Sequence, residues 1–263
     1  MTWNVLSRTV ICTLTTAVLL TTQVTQAAGP AEQAVAEAAK ENQFAFILFF
    51  KANDAATQQM HETLTTTLAD RTDATIVPVH VADAQEAALV KQFDATRLPM
   101  PAVAILAPNG AVCSVIPRQI SEQQALACIV SPIQATCLKT LQDNQLVALC
   151  VLPSPQSQIP AGVAHFKQDA HYSERTRVIP VLAGDPQEAK FLKQLKIPTD
   201  KKTPVVAFIA PPGVMVGMFD ERVTANELAS KLAAAGKCCD DENCKHNQTV
   251  KGQTAKGAAP TRR

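Results

Sequence analysis

Two uninterrupted apolar runs of seven residues, FAFILFF (44–50) and LVALCVL (146–152), each begin after a polar segment. Their length and lack of alternation predict strands buried on both faces. Each is preceded by a segment rich in strong helix formers, AEQAVAEAAKE in the first case and IQATCLKTLQD in the second. Further along, IVPVHV and VIPVLA predict a second strand, QEAALVKQF and QEAKFLKQL a helix, and AVAILA and VVAFIA a third strand. Asn109-Gly110 and Pro212-Gly213 are turn signals that lead into AVCSVI and VMVGMF, so each third strand is expected to continue through a hairpin into a fourth. SEQQALACIV and ANELASKLAA then close the pattern as helices. Between the first and second strands, a helix over TQQMHETLTTTLA is predicted for the first half only.

These elements come in pairs because the sequence repeats. ENQFAFILFF (41–50) aligns with DNQLVALCVL (143–152), and TIVPVHVADAQEAALVKQF (75–93) with RVIPVLAGDPQEAKFLKQL (177–195), both at an offset of 102. One inserted residue later, PAVAILAPNG (101–110) aligns with PVVAFIAPPG (204–213) at 103. Three blocks in one order at near-constant spacing define two copies of one unit, expected at 28–132 and 133–238. Strands alternating with helices imply a parallel core with an antiparallel hairpin edge, hence a small α/β sandwich in each copy.

In order and spacing, FAFILFF followed by KANDAAT, the IVPVHVAD strand, the helix QEAALVKQFDATRLP and then MPAVAILAPNG resemble the thioredoxin-like family. LVALCVLPSPQSQIP, VIPVLAGD and TPVVAFIAPPG resemble it a second time. The resemblance implies tandem α/β/α sandwich domains with mixed central sheets. It also implies cis-prolines at Pro101 and Pro204 before the third strands; the competing reading is a trans proline that merely starts a strand. The family's redox CxxC would fall on Asp54 to Thr57 in the first copy and near Gln156 to Ile159 in the second, and no cysteine stands at either place. Thiol–disulfide exchange needs an attacking thiolate, so conventional oxidoreductase activity at these positions is not expected. Asp54 suits a helix cap instead. The function this implies is non-catalytic binding or scaffolding, with the loops at 51–57, 97–101, 153–160 and 198–204 offered to a peptide or partner protein.

The ends of the chain add separate expectations. Arg8, the apolar TVICTLTTAVLL and a small-residue site ending at Ala27 have the form of a cleaved export signal over 1–27, with an uncleaved membrane anchor as the alternative. Export to a periplasmic or secreted location follows from the first reading, with no stable membrane span after cleavage. Its removal takes away Cys12 and leaves Cys113, Cys128, Cys137, Cys150, Cys238, Cys239 and Cys244, an odd number in a compartment that permits disulfides. Cys150 reads as a small buried hydrophobe. Two of Cys113, Cys128 and Cys137 are candidates for a disulfide at the junction, and all three reduced is the other reading. In the tail over 239–263 and just before it, Cys238, Cys239, Cys244 and His246 concentrate soft ligands that suit zinc or copper. A disulfide there, or free thiols, are the alternatives. This cluster carries the second functional expectation, thiol redox or metal handling by the tail.

The remaining composition mainly excludes. A net charge of +1 and 4% aromatic residues argue against nucleic acid as a partner. No HExxH, G-x-S-x-G or phosphate-binding glycine loop is present. His80 is expected to pack, and Asp83 and Asp185 to cap the helices that follow equivalent strands.

Overall fold

The computed structural model describes residues 28–236. Its first half runs α1 (Pro30–Lys40), β1 (Phe44–Phe50), α2 (Ala55–Leu68), β2 (Ala74–His80), α3 (Ala87–Gln92), β3 (Ala102–Leu106), β4 (Val112–Pro117) and α4 (Glu122–Ala127). The second runs α5 (Pro132–Gln142), β5 (Leu146–Leu152), α6 (Ala161–Gln168), β6 (Thr176–Leu182), α7 (Ala189–Gln194), β7 (Val205–Ala210), β8 (Val214–Phe219) and α8 (Ala225–Gly236). There are two four-stranded mixed sheets, ordered β2-β1-β3-β4 and β6-β5-β7-β8, each flanked by helices.

The expected parallel core is corrected. Only β1/β2 and β5/β6 are parallel, whereas β3 and β7 run antiparallel to the central strands. A strand–helix–strand pattern reports that a helix covers the sheet, but the connections over 81–101 and 183–204 are long enough to return the chain in either sense. The element missed between β5 and β6 is α6, whose glycine and histidine diluted its helical pattern.

The continuous apolar runs are explained by two-sided burial. Phe46 and Leu48 of β1 face the side of α2 and α4, packing with Met60, Leu64 and Ala125. Ala45, Ile47 and Phe49 face the other side with Ala38, Leu89 and Val90 of α1 and α3. β5 repeats this, with Val147, Leu149 and Val151 toward α5 and α7 and Leu146, Ala148 and Cys150 toward α6 and α8. Cys150 is fully buried, as a small hydrophobe in a strand core should be.

Helix ends are built from repeated parts. α1 and α5 both start with proline at the first helical position and stop at an asparagine with positive φ, Asn42 and Asn144. Their N-termini share a device that the repeat contained but sequence reasoning passed over. Glu86, 6% exposed, accepts from the Ala31 N–H at 3.0 Å. Its counterpart Glu188, 1% exposed, accepts from the Ile133 N–H at 2.9 Å and from the Ser131 hydroxyl. A carboxylate brought from a distant part of each half thus satisfies a helix's orphan amides. The QEA blocks that carry both glutamates lie 102 residues apart, which was the available signal. Asp83 caps the short helical turn that follows it by accepting from the Gln85 N–H, as expected, whereas Asp185 accepts from the Gln187 N–H within a turn and caps no helix, since α7 starts only at Ala189.

At the junction the side-chain amide of Gln142 pairs with the Val112 backbone, accepting from its N–H at 3.0 Å and donating to its carbonyl at 2.7 Å. The first helix of the second half thereby occupies the free edge of β4. Ala135 of α5 joins the core that contains Ala111.

Cys113, Cys128, Cys137 and Cys150 are all free thiols. Burial raises Cys150 to about 12, and burial followed by the nearby Glu188 charge raises Cys137 to about 12. Both stay protonated in the fold at pH values where unfolded thiols ionise, near 9.0. Their contribution to stability is therefore complete below about pH 9 and lost as pH rises toward 12. Urea midpoints measured from pH 8 upward should fall, and Cys150→Ala should flatten that fall relative to the parent chain. An identical slope in the variant would contradict the assignment.

Candidate functional site: the loops where β1 meets β3

Phe49 pairs with Ala102, so the segment leaving β1 and the segment entering β3 emerge at the same end of the first sheet. The first begins α2. Asp54 is its N-cap and accepts from the Thr57 N–H at 2.9 Å, while the buried Thr57 donates its hydroxyl to the Ala52 carbonyl. The Thr57 hydrogen bonds, backbone first and side chain second, hold the Asp54 carboxyl below its ordinary range. An anion at a helix N-terminus is doubly favoured there, by the N–H donors and by the helix dipole. Asp54 and Thr57 thus form a capping pair, and neither side chain can attack a disulfide or resolve one.

Facing this loop in sequence register is Pro101, and the Met100–Pro101 bond is cis, as expected. The Pro101 carbonyl accepts from the Arg118 N–H at 2.6 Å, tying the end of β4 to the proline. Arg118 itself is exposed and makes no ion pair among the described residues. A cleft of about 380 Å³ lies beside it, lined by Ala56, Gln59 and Met60 of α2 and by Gln119, Ser121 and Gln124 at the start of α4. Its walls offer amide and hydroxyl groups and one guanidinium, a set suited to hydrogen-bonding an extended backbone.

The second half departs from the first at the corresponding end. Val151 pairs with Val205, so the loops 153–160 and 198–204 again emerge together. Pro204 is not cis; the second cis bond is Pro211–Pro212, in the β7–β8 turn at the opposite end. Pro204 stands just before β7 in trans, the competing reading, where proline sacrifices no ladder bond. Gln156 and Ile159 are also displaced from the role expected of them. α6 starts only at Ala161 after Pro160, which leaves both residues exposed in the preceding loop rather than on a helix N-terminus. A basic cleft of about 470 Å³ lies nearby, with Lys193 and Lys196 beside Pro198 and Thr199.

The two sheets, their shared order and the cis-proline opposite a capped helix decide the architecture. The fold is thioredoxin-like. No protein-family model and no curated protein sequence matches the chain. Among solved structures, the N-terminal domain of alkylhydroperoxide reductase AhpF from Enterococcus faecalis is similar at 15% identity and a TM-score of 0.29, covering 76% of this chain and 96% of that one. The first two thioredoxin domains of Saccharomyces cerevisiae Eps1p are similar at 10% identity and a TM-score of 0.29, covering 73% and 89%. Human ERp44 in its zinc-bound form is similar at 11% identity and a TM-score of 0.32, covering 75% and 54%.

His80 does not pack as expected. It is exposed, with Nε2 at 2.9 Å from the Lys51 carbonyl and its ring edge-on to Phe50. That contact braces the start of the 51–54 loop. Among the described residues no cluster of metal-ligating side chains occurs, and no helix is long and apolar enough to cross a membrane. Cys238, Cys239, Cys244 and His246, like the 1–27 segment, lie outside the described residues.

Proposed function

We propose that the chain is an exported, non-catalytic thioredoxin-like protein that binds a peptide or partner protein through the loops at this end of its sheets. The observation that supports the reading is a cis Met100–Pro101 bond at the same sheet end as the Asp54–Thr57 cap; on this reading the proline loop is the recognition half of a thioredoxin-like site and the capped helix start stands in the place of its thiols. The exposed Lys51 of the β1–α2 loop, and the polar cleft that Arg118 lines between α2 and α4, supply the groups that would hold an extended segment. The units proposed are 28–132 and 133–238, with the tail as a separate appendage. Export rests on the Arg8, apolar and Ala27 pattern alone.

The test uses a partner isolated from the native compartment and titrated against the full chain. Lys51→Glu and Arg118→Glu, both at exposed positions, should weaken binding by an order of magnitude or so while leaving the melting temperature unchanged. Unchanged affinity in both variants, and in Gln156→Ala and Ile159→Ala, rejects this surface.

A further inference from the structure

We propose that Cys113 and Cys128 form an oxidisable dithiol that closes into a disulfide between β4 and the end of α4. The strand register supplies the first observation. Ile105 pairs with Ser114 and Leu106 with Val112, so Cys113 is the extra residue of a β-bulge. A bulge re-aims its side chain, and here Cys113 turns toward the core that contains Phe46, Leu48 and Leu64. Cys128, the C-cap residue of α4, packs against the same core from the helix side. Both are partly exposed, in contrast to Cys137 and Cys150, so a small oxidant reaches them in the folded protein.

Comparison of the halves makes the pairing specific. The bulge recurs in the second sheet, where Val216 stands in place of Cys113, and the position equivalent to Cys128 is Lys231. Lys231 is exposed, so the pair of core-facing thiols belongs to the first half alone. Burial, then the neighbouring Cys128 sulfur, raise the Cys113 thiol to about 11, and burial raises Cys128 as well. The thiolate of one cysteine displaces one sulfur of an external disulfide to give a mixed disulfide, and the other cysteine, losing its proton, displaces the sulfur still attached. Two electrons pass from the protein to the external disulfide, which leaves as two thiols carrying the two protons the cysteines gave up.

Closure would pin α4 to the strand whose edge Gln142 holds, and so stiffen the connection between the halves. The experiment treats the full chain with glutathione disulfide, blocks remaining thiols, digests without reduction and identifies cross-linked peptides by mass. The expected product joins the peptides containing Cys113 and Cys128, with the mass of two hydrogens lost, and a melting temperature several degrees above that of the reduced chain. Cys113→Ser and Cys128→Ser should each abolish that rise, and Cys128→Ala should do so as well if serine perturbs folding. Mixed glutathione adducts at either cysteine without closure, or a rise that persists in all three variants, would overturn the proposal.

Discussion

Replacing Glu188 by alanine is expected to destabilise the chain by about 3 kcal/mol, because a buried carboxylate with two donors is removed and both donors lose their partner. The donors are the Ile133 N–H and the Ser131 hydroxyl at the start of α5. The equivalent change at Glu86 should cost only about 1 kcal/mol. Glu86 accepts a single bond, and its second carboxylate oxygen is buried without a partner. The difference originates in one position of the repeat, where the first half has Gly29 and the second Ser131. A side chain at Gly29 would place Cβ 2.1 Å from the Gln85 carbonyl oxygen, so the first half could not accept the serine without moving. Urea unfolding of both variants measures the two costs. Equal losses, or a larger loss at Glu86, would show that these glutamates do not act as helix caps.

Gly162→Ala should be comparably damaging. Its Cβ would lie 1.9 Å from the Val223 carbonyl oxygen, backbone against backbone, where no flexible side chain can give way. α6 and the start of α8 must separate to admit it, loosening a layer in which Phe166 packs edge-on to Phe208 and stacks on Tyr172. Overpacking of this kind costs about 1–3 kcal/mol, and a backbone clash puts it at the upper end. A thermal melt in which the variant matches the parent would mean that α6 does not sit this close.

Much of this architecture was legible because burial writes itself into composition. A strand covered on both faces admits nothing but apolar side chains, so FAFILFF and LVALCVL marked the sheet centres without any periodicity. Proline at 101 and aspartate at 54 were readable for a related reason, since each residue type solves a local backbone problem. Strand direction was not legible. Nothing in IVPVHV or AVAILA records whether the next strand returns parallel or antiparallel; the long connection decides it. Pro204 shows the limit of transferring roles through a repeat, because its bond is trans where that of its counterpart Pro101 is cis. Glu86 and Glu188 were hidden for another reason. Charged residues in a helical segment look solvent-facing until the chain they cap, about 55 residues away, is folded against them. Cys113 was visible as a residue but not as a bulge, which exists only relative to its partner strand.

The measurement that bears most directly on the proposed binding role places a photo-activated cross-linking amino acid at one position at a time in the otherwise intact chain, expressed in its own compartment. Lys51 and Gln156 mark the loop end of the two sheets, and Asn109 in the β3–β4 turn marks the opposite end of the first. All three are exposed. Cross-links to the same protein from Lys51 or Gln156, absent from Asn109 and lost when Arg118 is also changed to glutamate, are the expected result. Cross-links confined to Asn109, or catalytic turnover of a disulfide substrate by a chain lacking the three tail cysteines together with Cys113 and Cys128, would contradict a non-catalytic binding surface built on the cis-proline loop and its counterpart.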